Sequence, residues 1–68
     1  MNELPLAPID RLIRKSGADR VSEDASVAMA GIISDFVEDL STHAYKLAKH
    51  AGRKTITAED IQLAAKEF

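Results

Sequence analysis

The chain has 68 residues, no cysteine, 46% hydrophobic residues and a formal net charge of −2. A domain of this length buries only about 60% of the surface its unfolded chain exposes, so it is marginal alone. With no cysteine, disulfides and cysteine-held zinc are excluded as reinforcement, and self-association is the remedy to expect. The three aromatics, Phe36, Tyr45 and Phe68, point to an aliphatic, alanine-rich core. No apolar run approaches the ~20 residues of a membrane span. The opening MNELPLAPIDR has an acid and two prolines where a signal peptide has a basic and then an apolar region. A soluble intracellular protein with no membrane partner is expected.

The first element is short. Leu6, Ile9, Leu12 and Ile13 recur at helical spacing, and proline is tolerated in a first turn where its missing N–H has no partner anyway. A helix over about 6–15 is predicted, with Gly17 stopping it. The second element is long. Ser22 suits an N-cap, and Glu23 and Asp24 place negative charge where the helix dipole favours it. Met29, Ile33, Phe36, Leu40, Ala44, Leu47 and Ala51 then repeat at steps of three and four, opposite a polar face of Ser34, Asp35, Glu38, Asp39, Thr42, Lys46 and Lys49. The predicted helix covers about 22–50 and ends at Gly52. Gly31 inside it costs about 1 kcal/mol relative to alanine without breaking the pattern. In the third element Thr57 is the N-cap, Glu59 and Asp60 occupy the first turn, and Thr-x-x-Asp resembles a capping box with a shorter acid. Ile61, Ala64, Ala65 and Phe68 share one side of a helix over about 58–67. The fold class is all-α, with residues 1–68 forming one domain.

The middle helix sets the assembly. About 28 residues at ~1.5 Å each make a rod of roughly 42 Å. A compact globule of this chain length is only about 28 Å across. Two short flanking helices cannot cover both ends of such a rod, whereas a second copy crossing it can. A two-fold dimer is the simplest solution.

Charge is segregated along the chain. Residues 1–20 set Arg11, Arg14, Lys15 and Arg20 against Glu3, Asp10 and Asp19. Residues 21–45 carry five acids and no base, and residues 46–54 carry Lys46, Lys49, Arg53 and Lys54 with no acid. Polyanion binding is compatible with a net charge of −2 only if it is focused on the positive segments. An enzyme is not expected: there is no nucleophile–base constellation, no glycine-rich phosphate loop and no H-E-x-x-H. His43 and His50 lie two turns apart, ~10.5 Å along a helix, too far to share an ion. No metal, cofactor or small-molecule substrate is expected.

The order short helix, loop, long helix, loop, short helix, together with LPLAPIDRLIRKSGADRVSEDA and KLAKHAGRKTITAEDIQLA, resembles the archaeal histones of the histone-fold family. The resemblance runs over essentially the whole chain. It implies a head-to-tail intertwined dimer that wraps and compacts double-stranded DNA with little sequence preference, as a chromosome-associated cytoplasmic protein. The first loop of one copy, GADRVS, would lie beside the second loop of the other, GRKTIT. By similarity, Arg20 reaches the minor groove with Thr55 nearby from the partner copy, and Arg11, Arg14 and Lys54 hold phosphates. On its own, Arg20 reads as a solvated loop charge. Arg53 and Asp60 resemble the family's structural loop ion pair. Leu47, His50 and Asp60 match its dimer–dimer contact, a four-helix bundle that builds higher oligomers and that a histidine makes pH-sensitive.

The chain departs from basic relatives at Ser26, Gly31, Glu38 and Thr57, where cations are often found. Weaker and more easily salted-out DNA binding is therefore expected. Gly31 and Gln62 also stand where stacked filaments place charged partners, although Asp35 and Lys66 can still pair, so short or open assemblies are expected. Pairing with itself or with a paralogous histone are both compatible with the sequence. The alternative is a histone-fold subunit whose role lies mainly in protein–protein pairing, as in some transcription-factor complexes or as a modulator of more basic histones.

Overall fold

The computed structural model describes residues 4–67. Three helices follow in order, α1 (Leu6–Arg14), α2 (Glu23–His50) and α3 (Ala58–Ala65), with no strand among the described residues. The chain divides into two compact units, Met1–Asp35 and Phe36–Phe68, and the boundary falls inside α2.

In the first unit, Pro5 stands at the α1 N-cap in extended conformation and offers no side-chain bond. Its fixed φ pre-sets the chain for entry into the helix. Arg11 and Arg14 fall in the last turn, where the dipole favours cations. The helix closes one residue earlier than the spacing predicts, and Gly17 turns the chain at φ 109°. Ser22 lies just outside α2 and accepts the Ala25 N–H on its Oγ at 3.0 Å, the bond of an N-cap. Ile9, Ser26 and Ala30 are buried, and Ile9, Leu12, Ile13, Ser16, Met29 and Ile33 line a groove between α1 and α2.

In the second unit, α2 ends in a Schellman motif. The Arg53 N–H donates to Ala48 O and the Gly52 N–H to Lys49 O, both at 2.9 Å, with Gly52 at φ 78°. Ala44, Ala48 and Ala64 are fully buried, and the His43 ring pairs with the Glu67 carboxylate just beyond α3. Thr57 caps α3 with a complete capping box. That helix ends at Ala65, two residues short of the sequence expectation. Lys66 and Glu67 N–H groups bond three residues back, to Leu63 and Ala64 O, a tighter turn than an α-helix. Phe68, expected on the apolar side of α3, lies outside the described residues.

The buried strip differs from the apolar stripe read from the sequence. Among the described residues, no large side chain is fully buried. Met29, Phe36 and Ala51 were expected inside and are exposed, and Leu12 and Ile32 are exposed by 61% and 65%. The reason is geometric. Helices of nine and eight residues cover only the small-residue strip of α2, and close approach over Ser26, Ala30, Ala44 and Ala48 leaves the bulky side chains to either side uncovered.

Candidate nucleic-acid interface

In the first unit, Arg11 and Arg14 stand exposed on α1 and Arg20 on the loop between α1 and α2. Arg14 is tied down. Its Nε donates to Asp10 Oδ2 at 2.9 Å and its Nη1 to the Asp19 carbonyl at 2.7 Å. Asp10 four residues before Arg14 is the favourable helical order for an ion pair. Arg20 follows the anchored Asp19 directly. Among the described residues, neither Arg20 nor Arg11 has a side-chain hydrogen bond or ion pair.

In the second unit, the loop between α2 and α3 is built around Asp60, a carboxylate only 4% exposed. Arg53 approaches it with both terminal nitrogens, Nη1 to Oδ2 at 2.8 Å and Nη2 to Oδ1 at 2.9 Å. Bidentate geometry of this kind is the strong form of an ion pair. Arg53 Nη1 also donates to the Thr55 carbonyl at 3.0 Å, so one guanidinium holds the loop and the helix start together. Asp60 Oδ2 accepts the Thr57 N–H at 2.8 Å, while its own N–H donates to Thr57 Oγ1 at 3.3 Å. The Arg53 hydrogen bonds, helped by the Thr57 N–H, hold the Asp60 carboxyl well below the usual carboxylate range. Asp60 in turn raises Arg53 above its ordinary value.

This bracing leaves Lys54 and Thr55 exposed at the loop surface, with no partner for either side chain among the described residues. Leu47, half-buried, and Asp60 line one groove together with Ala51, Leu63 and Lys66. His50 is exposed at the end of α2 and makes no hydrogen bond to Asp60 within the chain. Asp60 already receives three hydrogen bonds, which leaves Oδ1 as the oxygen with a free lone pair.

Three interactions were not read from the sequence. The Asp10–Arg14 pair was readable from its i, i+4 spacing. The Asp19 carbonyl and the His43–Glu67 pair, 24 residues apart, had no local signal.

No helix of the described residues is long and apolar enough to cross a membrane. A sequence model of the family described as histone-like transcription factor (CBF/NF-Y) and archaeal histone matches residues 2–65. One of the subunits of archaeal histone HAN1 from Thermococcus zilligii is 56% identical over 66 residues, covering 97% of this chain and 98% of its own. Probable archaeal histone 3 of Methanocaldococcus jannaschii is 42% identical over 64 residues, covering 94% and 96%. With its all-α order of short, long and short helices and these full-length matches, the chain belongs to the family of histone-like transcription factors and archaeal histones, and is a histone-fold protein rather than an enzyme.

Proposed function

We propose that residues 1–68 form one histone-fold domain that pairs into an intertwined dimer and wraps double-stranded DNA on the chromosome. The observation that carries this reading is the set of unneutralised cations. In a chain of net charge −2, Arg11, Arg20 and Lys54 are exposed and have no acidic partner among the described residues, while Arg53 is used internally. Arg20 is the minor-groove residue, with Thr55 nearby from the partner copy, because a weakly hydrated planar cation suits a narrow groove. Arg11 and Lys54 hold phosphates. Exposed Leu12, Ile32 and Val37 supply the apolar surface that pairing covers. Leu47, His50 and Asp60 join dimers into higher oligomers, His50 of one dimer approaching the Asp60 Oδ1 of the next, which keeps one lone pair beside its Arg53 bond. The Thermococcus zilligii relative is named as one subunit of its histone, which keeps a paralogous histone beside a second copy as the pairing partner.

The test is binding of generic duplexes across a salt series, for the native chain and for Arg20→Ala. With four engaged cations per chain, eight per dimer, the log–log slope is about −7; with Arg14 not engaged it is about −5. A steep slope, with the variant weaker on several unrelated sequences, supports the reading. No binding at low salt refutes it. That outcome favours a histone-fold protein that works through protein pairing alone, a reading supported by the acidic balance and the exposed apolar side chains.

A further inference from the structure

We infer that Arg14 is a positioning residue for Arg20 rather than primarily a phosphate contact; the inference rests on the DNA reading above. A cation at the end of α1 would ordinarily be counted among phosphate holders. Here its guanidinium is engaged from two sides. Asp10, one turn back on the same helix, takes Nε and fixes the plane of the fork, and Nη1 then reaches the Asp19 carbonyl. That carbonyl belongs to the peptide joining Asp19 to Arg20. Holding it fixes the peptide plane from which the Arg20 side chain departs, so one soft rotation is removed beside the residue that must enter a groove.

The base of the loop is stitched as well. The Gly17 N–H donates to Arg14 O at 3.0 Å and Ser16 Oγ to Ile13 O at 2.7 Å, so residues 13–17 form a hydrogen-bonded platform. From this platform Arg14 spans to residue 19. Lysine cannot reproduce the arrangement. An ammonium is a single point of charge, whereas the anchor needs two N–H groups diverging from one rigid plane. Charge and shape are therefore separable at this position.

Two substitutions separate them. Arg14→Lys preserves the charge and loses the fork. It is expected to weaken DNA binding about tenfold at fixed salt, the size of one charge-assisted hydrogen bond, with an unchanged salt slope. Asp10→Ala removes the acceptor of Arg14 Nε and, with it, a negative charge beside the DNA-facing loop. Charge alone predicts tighter binding, and loss of the anchor predicts weaker binding, so the sign decides. Each variant is also combined with Arg20→Ala. If Arg14 acts through Arg20, the loss in the Arg14→Lys, Arg20→Ala double variant is no greater than in Arg20→Ala alone. Backbone 15N order parameters at residues 19–20 in the DNA-free protein should fall in Arg14→Lys while those of α2 stay unchanged, which separates loop loosening from global unfolding.

Additive losses, tighter binding by Asp10→Ala, or unchanged order parameters at residues 19–20 would overturn the assignment while leaving DNA binding intact. Absence of native-chain binding at low salt would overturn both this assignment and the DNA reading. The two failures are thereby distinct.

Discussion

The α2 terminus offers a test in which one chemical change is made at two glycines with opposite expected signs. At Gly52 the backbone sits at φ 78° and a Cβ would meet no heavy atom of the described residues within 4 Å. Sterics with neighbouring groups therefore contribute nothing, and the cost of Gly52→Ala is the left-handed backbone itself, about 1–2 kcal/mol. Alanine also restricts the unfolded chain, which offsets about 0.4–1 kcal/mol. The net loss is about 1 kcal/mol, or a fall in Tm of about 4–8 °C for a domain of this size. Gly31 lies inside α2, outside the positive-φ region, and its added Cβ likewise meets nothing within 4 Å among the described residues. Gly31→Ala should gain about 0.5–1 kcal/mol. Both are read by thermal and urea unfolding at one fixed protomer concentration, because association couples to stability. Gly52→Asn should lose less than Gly52→Ala, since asparagine tolerates the left-handed region. A neutral or stabilised Gly52→Ala would refute the reasoning. A loss at Gly31→Ala would mean that atoms of a paired chain occupy the open space.

Thr57→Ala removes one half of the α3 capping box and should cost about 1 kcal/mol in urea unfolding, within the usual range for such caps. Asp60 titrates lower in the folded chain than the ~3.9 of an unfolded aspartate, so below that value the unfolded chain binds more protons. Its contribution is complete above about pH 4 and is lost as pH falls through the folded value. Asp60→Asn should flatten the acid limb of a stability–pH curve, and an unchanged limb would remove Asp60 as its source. Ala48 is fully buried, so Ala48→Leu overpacks the α2–α3 contact and should destabilise by about 1–3 kcal/mol, measured by the unfolding midpoint.

The three helices were legible because their signals are local and redundant. Ser22 and Thr57 are short polar caps followed by acids, Gly17 and Gly52 are stops, and the apolar residues between recur at helical steps. Which face the chain itself buries was less legible. Periodicity ranks Met29 and Phe36 with Ala44 as apolar, but only the geometry of short helices against α2 selects the small residues. At the site, the positive run in residues 46–54 was plain, yet sequence alone gives all four cations the same role. Arg53 differs from Lys54 because the Schellman turn at Gly52 aims it at a carboxylate seven residues on, a pairing that no period announces and that family resemblance alone suggested. The Asp19 carbonyl was invisible for a related reason: a backbone acceptor has no letter of its own in a sequence.

The alanine-and-serine strip buried inside each unit has a consequence for the life of the chain in a cell. Large apolar side chains, Leu12 and Ile32 among them, stand exposed in the single chain, and in the proposed dimer a second chain shelters them. A newly made copy that has not met a partner presents to chaperones and proteases the surface they recognise. Under the proposed pairing, survival is then a property of couples. A paralogue synthesised in excess is cleared until the numbers match, and the composition of the chromosome's coat follows from which pairs outlast surveillance rather than from how much of each chain is made.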